Sequence, residues 1–164
     1  MPFFTLNQIL VLLINLLAIV IGFLVMKHSP HKKIKTIFLF MTLLMLFWVD
    51  FAYFPRLIGK EFPFLALFFL KIAWLVTPLF FTSLYFLTIF LLEKEKKYKN
   101  LTKSVLFFGL LSTFLTGFTN LVVADIKFAG PHLAIEYGPA MLPFLAMISF
   151  LIFATLFPLF REYF

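Results

Sequence analysis

The chain has 164 residues, of which 63% are of hydrophobic type and 13% are charged, with a formal net charge of +7 and no cysteine. A soluble domain of this length could not bury so much apolar surface, and disulfides and thiol chemistry are excluded, so we expect lipid to be the solvent for most of the chain. The lysines cluster between apolar runs, where membrane orientation and anionic headgroups explain the charge better than nucleic acid does.

Five apolar runs predict five transmembrane helices, covering residues 3–26, 34–54, 72–92, 104–124 and 140–160. The third run is about 32 Å long as a helix, close to the thickness of the hydrocarbon. It ends in EKEKKYKNLTK, a lysine-rich segment typical of the cytoplasmic side. Ten lysines and arginines fall on that side and four on the other. We therefore predict a single domain, an all-α bundle of five transmembrane helices with the N-terminus outside and the C-terminus cytoplasmic.

The first span carries small and polar residues along one face. Gln8, Asn15 and Gly22 recur every seven residues, and we expect this face to contact other helices because polar groups facing lipid are costly. Asn15 makes either an interhelical hydrogen bond or a ligand contact. His28 and His31 follow in KHSPHKKIK. Two histidines with no third ligand indicate a solvated turn rather than a metal pair, and we predict no metal site.

The second span carries one acidic residue. Asp50 lies about one turn before the expected end of the span at Pro55, and Lys71 precedes the third span at the same level. Opposite charges at one rim of neighbouring helices either form an ion pair or extend separately to the headgroups. We expect the connection 55–69 between the two spans to be partly interfacial.

The third span has one polar and aromatic face with helical spacing. It consists of Trp74, Thr77, Pro78, Phe81, Thr82 and Tyr85. Pro78 leaves the Trp74 carbonyl without its helical donor, which favours a kink. Thr77 or Thr82 could partly satisfy the opened backbone.

The fourth span has a ridge of small residues, Gly109, Thr113 and Gly117, at a spacing that permits close approach of two backbones. The loop DIKFAGPHLAIEYGP that follows is polar enough to leave the bilayer, and its Gly-Pro pair suggests a small β-hairpin. Asp125, His132 and Glu136 lie in this loop, and we interpret them as solvated residues rather than a metal-binding or pH-sensing cluster.

If the polar faces of spans one, three and four converge, they enclose a small pocket in the outer half. Its predicted lining is Asn15, Thr77, Thr82, Tyr85, Thr116 and Asn120. The glycines are scattered singly, and neither a His-Glu metal motif nor a supported Ser/His/Asp arrangement occurs. We therefore predict a non-enzymatic protein without catalytic residues, cofactor or metal.

Five segments spread over nearly the whole chain form a familiar order of features: HSPHKKIKTIFLF, FWVDFAYF, KIAWLVTPLFFTSLYFLTIFL, TGFTNLVVADIKF and IEYGPAMLPFLAMISF. In this order they resemble the N-terminal seven-helix sensor region of bacterial histidine kinases and of some diguanylate cyclases. The resemblance implies a sensor in the bacterial inner membrane that signals to a cytoplasmic domain or partner protein, and a homodimer if the chain is a histidine kinase sensor.

This chain departs from that pattern because it has five spans and no transmitter, which indicates a fragment or a shortened relative acting through a partner. Two other classes stay open: a small transporter or channel subunit, and a membrane assembly protein. Transporters commonly show internal repeats and paired charges near the midplane. Neither feature is visible in this sequence, so the sensor or receptor module is the favoured prediction.

Overall fold

The computed structural model describes residues 6–29, 31–129 and 132–163, which form five helices and one β-hairpin. All five helices are long and apolar enough to cross a membrane, which supports the predicted multi-pass membrane protein. In chain order the elements are α1 (Leu6–His28), α2 (Lys32–Ile58), α3 (Pro63–Leu91), α4 (Lys99–Phe118), β1 (Val123–Ala129), β2 (His132–Tyr137) and α5 (Met141–Tyr163).

The connection between α2 and α3 is much shorter than the sequence suggested. Pro55 does not end α2, because it lies in the last turn, where its carbonyl accepts a hydrogen bond from the Gly59 amide at 3.0 Å. α3 begins at Pro63, a position where proline is favoured since its missing N–H would have no helical acceptor. The predicted length of the connection, residues 55–69, is therefore wrong: only residues 59–62 separate the two helices.

The predicted hairpin is confirmed, and its first strand includes residues 123–124 of the predicted fourth span. α4 ends at Phe118 and β1 begins at Val123. The strands pair antiparallel from Ala129 with His132 to Val123 with Tyr137, with an irregularity between residues 123 and 125. The Gly-Pro turn lies outside the described residues. Val123 is fully buried, because the hairpin folds back onto the helices instead of extending into solvent.

α3 is the central helix of the bundle. It packs against α2, α4, α5 and β1, whereas α1 packs mainly against α2. The core runs the length of the bundle and includes the fully buried side chains of Tyr85, Val105, Phe144 and Leu151. The outside is also apolar, with side chains such as Leu142 77% exposed. An apolar surface this extensive is typical of a membrane helix bundle.

Candidate functional site

The most highly connected polar group at the lysine-rich end is the carboxylate of Glu162, near the C-terminal end of α5. Its Oε1 accepts a hydrogen bond from the Tyr98 hydroxyl at 2.8 Å and contacts the Lys97 ammonium. Its Oε2 lies 3.9 Å from Lys94 Nζ. The Glu162 side chain is only 16% exposed. The segment joining α3 to α4 is thereby fixed onto the end of α5.

The backbone after α3 brings these donors into position. Glu93 has a φ of 54°, in the left-handed region, so the chain reverses immediately after the helix. The amide of Lys94 then donates back to the Ile89 carbonyl at 3.3 Å. Tyr98 precedes the first residue of α4 and is 4% exposed. This reversal directs a lysine-rich segment toward the end of α5 rather than into solvent.

A chain of hydrogen bonds continues from this carboxylate into the bundle. The Thr102 hydroxyl donates to the Tyr98 carbonyl at 3.0 Å and lies 2.9 Å from the Tyr85 hydroxyl. Because the single Thr102 hydroxyl proton is used toward Tyr98, the Tyr85 hydroxyl is the donor in the second contact. We call Tyr85, Thr102, Tyr98 and Glu162 the polar relay. It connects α3, α4 and α5 at one end of the bundle.

The burial of Tyr98 and its hydrogen bond to Glu162 have an electrostatic consequence. Burial first, and then the neighbouring carboxylate, raise the pKa of the Tyr98 phenol above its ordinary value of 10.0. The phenol therefore stays protonated and able to donate at neutral pH. The other ion pair of this region, Lys33 with Glu95 at 3.3 Å, is much more exposed, so its contribution to stability is small.

Sequence reasoning did not identify the polar relay. Glu162 is the only acidic residue after Glu136 and follows Arg161 at the end of an apolar run. Tyr98 is the single aromatic residue within a lysine-rich segment. Each residue differs in chemical type from its neighbours in the sequence, and this difference is the signal that marks the two residues as candidates for a polar contact. Their pairing depends on the helix order and could not be inferred from spacing.

At the opposite end, Asp50 and Lys71 have different partners. Asn15 Nδ2 donates to Asp50 Oδ1 at 2.8 Å, which joins α1 to α2. The Lys71 ammonium donates to the Asn120 side-chain oxygen, which joins α3 to the segment after α4. Asn15 Oδ1 is buried and has no partner among the described residues. Each rim charge therefore has a neutral side-chain amide as its partner, and no ion pair joins Asp50 to Lys71 in the described structure.

The six residues expected to line one pocket lie in separate places. Thr77 borders a cavity of about 250 Å³ between α2 and α3, and Thr82 borders a different groove of about 350 Å³. Thr116 is fully buried and donates to the Ser112 carbonyl at 2.7 Å. Asn15 and Asn120 make the rim contacts, and Tyr85 belongs to the polar relay. The structure therefore does not assemble this set into a common pocket.

The backbone opened by Pro78 is not satisfied in the expected way. α3 is continuous through Pro78. The Thr77 hydroxyl donates to the Ala73 carbonyl at 3.3 Å, not to that of Trp74. The Thr82 hydroxyl is buried without a partner in the described part of the chain. Thr82 points instead toward α4.

Small residues lie where helices approach each other closely. A Cβ atom at Gly22 would be 3.1 Å from Thr42 Cγ2 on α2. A Cβ atom at Gly109 would overlap Thr82 Oγ1, and one at Gly117 would overlap the Leu75 side chain. The Thr113 hydroxyl donates to the Gly109 carbonyl at 2.8 Å. Gly22 therefore allows α1 to lie close to α2, and Gly109 and Gly117 allow α4 to lie close to α3.

No group of three or more His, Asp or Glu side chains suited to a metal ion occurs within the described residues. On the hairpin, Glu136 pairs with Lys127, and its hydrogen bond raises the pKa of the Lys127 ammonium. Asp125 Oδ1 accepts from the Ile126 amide at 2.8 Å. The side chain of His132 lies outside the described residues.

Comparison with protein-family models, with curated proteins and with solved structures found no match for this chain. The resemblance to a histidine kinase sensor region therefore stays a prediction from the sequence.

Proposed function

We propose that this chain is a non-catalytic membrane sensor or receptor module that passes a signal to a cytoplasmic signalling domain or partner protein. The observation that carries the proposal is the polar relay, because it joins α5 to α3 and α4 at the lysine-rich end. A shift of α5 along its axis would break the contacts of Glu162 with Tyr98 and Lys97. The position of the α5 end would then report the state of the bundle.

Contacts at the other end of α5 support the same direction of signalling. Tyr137 of the hairpin lies edge-on to Trp74 of α3, with ring centroids 6.0 Å apart. Trp74 in turn packs against Phe144 of α5, with centroids 5.7 Å apart. A ligand or partner that displaces the hairpin would therefore push on the first turns of α5. In this proposal the hairpin receives the stimulus and the polar relay transmits it.

The proposal includes an orientation in a bacterial inner membrane, with the hairpin and N-terminus outside and the lysine-rich end in the cytoplasm. It is supported by the distribution of basic residues, since ten of the 14 lysines and arginines lie at that end. The chain contains no cysteine, so a maleimide can react only with a cysteine that is introduced. With a membrane-impermeant maleimide, we expect Lys60→Cys to react in intact cells and Lys96→Cys only after permeabilisation. The reverse pattern would refute the orientation.

Signalling is tested by fusing a histidine kinase transmitter after Phe164 and measuring autophosphorylation in membranes. We expect Glu162→Gln to change the rate severalfold, because it removes the charge that fixes α5. Glu95→Gln is the matched control, since Glu95 makes an exposed ion pair with Lys33 at the same end. Equal rates in the wild type and both variants would refute the proposal.

Asp50 favours a second candidate, a small transporter or channel subunit. It is half-buried within an apolar helix and held by Asn15, and ionisable residues inside transmembrane helices often mark proton or ion paths. The test is proton flux into vesicles reconstituted with the wild type or with Asp50→Asn. Flux that depends on Asp50 would favour this candidate over the sensor.

A further inference from the structure

We propose that an anionic phospholipid binds at the lysine-rich end, with its headgroup among lysines of α2 and α4 and one acyl chain in a groove between α2, α3 and α4. We call this the lipid cleft and define it by Lys32, Phe90, Leu79, Lys103 and Leu106. The proposal concerns what the bundle binds, and it holds whether or not the chain transmits a signal.

The lower part of the lipid cleft is an apolar groove of about 350 Å³. It runs along α3 from Phe90 to Leu79, and Phe40 and Leu106 line its sides. Its two ends are eleven positions apart on α3, about 16 Å along the helix axis. A narrow apolar groove of this length, open on the outside of a membrane helix bundle, fits a hydrocarbon chain.

The upper part is a polar cleft of about 560 Å³ that shares Phe90 with the groove and is lined by His31, Lys32 and Lys33. A third cleft, of about 350 Å³, meets Phe90 from the α4 side and is lined by Lys99 and Lys103. Phe90 therefore lies at the point where the apolar groove opens between two groups of lysines. The volumes of the groove and of the two lysine-lined clefts are all within the usual range of ligand sites, roughly 300–1,000 Å³.

The opening of the groove carries a positive charge, and some of its lysines have no acidic partner in the described structure. Lys33 is already paired with Glu95 at 3.3 Å, and its ammonium lies 5.2 Å from the centre of the Phe90 ring. Lys32, Lys99 and Lys103 form no ion pair with the rest of the described structure. Against them stand Glu93, which also lines the polar cleft, and Glu95, which lines both lysine-containing clefts and is paired with Lys33. The balance favours a negatively charged headgroup.

The apolar groove and the lysines together favour an anionic phospholipid over a free phosphate or a zwitterionic lipid. A free phosphate could use the lysines but not the groove, and a zwitterionic lipid could use the groove but brings its own cation toward the lysines. Basic sites between transmembrane helices recognise anionic headgroups in this way, and each buried methylene of the chain adds affinity. The lipid cleft therefore fits an anionic diacyl lipid such as phosphatidylglycerol.

The test on the unmodified protein uses nanodiscs that contain a trace of photoactivatable phosphatidylglycerol, labelled near the end of one acyl chain. We expect cross-links to concentrate on residues 79–83 and 109–110, at the end of the groove away from the lysines, and to be displaced by excess phosphatidylglycerol but not by phosphatidylcholine or glycerol 3-phosphate. Cross-links spread evenly over all five helices, or equal displacement by phosphatidylcholine, would overturn the proposal in favour of a uniform lipid annulus.

Charge variants separate a specific site from general attraction. Lys32→Gln with Lys103→Gln should lower the retained ratio of phosphatidylglycerol to phosphatidylcholine severalfold in native mass spectrometry. Lys27→Gln with Lys96→Gln removes the same charge from the same end and should leave the ratio unchanged. Equal losses in the two double variants would overturn the proposal.

A steric variant tests the groove without changing charge. Leu106→Trp fills it and should remove the cross-links to residues 79–83. Leu145→Trp makes the same substitution at an exposed position of α5 and should preserve them. Retention of wild-type cross-linking in Leu106→Trp would exclude the groove as the site of the acyl chain.

Discussion

Replacing Gly109 with alanine tests how closely α3 and α4 approach. A Cβ atom at this position would overlap the hydroxyl oxygen of Thr82, which is buried without a partner in the described residues. The other Thr82 side-chain atoms would be at ordinary contact distance, 3.5 Å. The new Cβ atom therefore overlaps only Thr82 Oγ1, and the substitution Thr82→Ala removes that oxygen.

Two opposing effects set the magnitude for Gly109→Ala. Overpacking a well-packed contact costs about 1–3 kcal/mol, whereas alanine is better than glycine in a helix by about 1 kcal/mol. The net expectation is a loss of about 1 kcal/mol in the free energy of unfolding. Thr82→Ala removes no hydrogen bond of the described structure, because the Thr82 hydroxyl has no partner there. In the double variant the new methyl group takes the space of the hydroxyl, so we expect a favourable coupling of about 1–3 kcal/mol.

The assay is equilibrium unfolding of the four proteins in mixed micelles, followed by far-ultraviolet circular dichroism. Gly22→Ala is the matched control, because its Cβ would lie 3.1 Å from Thr42 Cγ2 without overlap and should cost less. Additive effects of the two substitutions at Gly109 and Thr82 would show that the two side chains do not compete for space. Such a result would refute the reasoning.

The remaining predictions concern polar contacts. Asn15→Ala should destabilise the attachment of α1 by about 1 kcal/mol, seen as faster proteolysis of α1, since it removes the hydrogen bond to Asp50; an unchanged rate would contradict this. Glu162→Gln should lower the melting temperature more than Glu95→Gln, because Glu162 is the less exposed carboxylate; equal shifts would contradict it. The raised pKa of Tyr98 means that its stabilising contribution is complete below pH of about 10 and lost as the pH rises through the higher folded-state pKa. Tyr98→Phe should reduce the loss of stability in alkaline melting curves, and an identical curve in the variant would exclude Tyr98 as a source of that loss.

The helix ends illustrate why local signals were only partly sufficient. Pro55 is a strong helix-breaking signal, yet α2 continues beyond it to Ile58, because a proline in the last turn removes only one hydrogen bond. Val122 and Val123 continued an apolar run and were assigned to the fourth span. They belong to the hairpin segment, where both are fully buried, since burial against protein and burial in lipid have the same sequence signature.

The sequence alone determined the membrane class, the number of long apolar helices and the β-hairpin after the fourth helix. These properties follow from the length and periodicity of apolar runs, which depend on residues close together in the chain. Only the tertiary structure decided which polar groups meet. Tyr98 and Glu162 are 64 positions apart, and Asn15 and Asp50 are 35 positions apart. Their pairing follows from which helices are neighbours and how each is rotated, and those are set by the packing of the whole bundle.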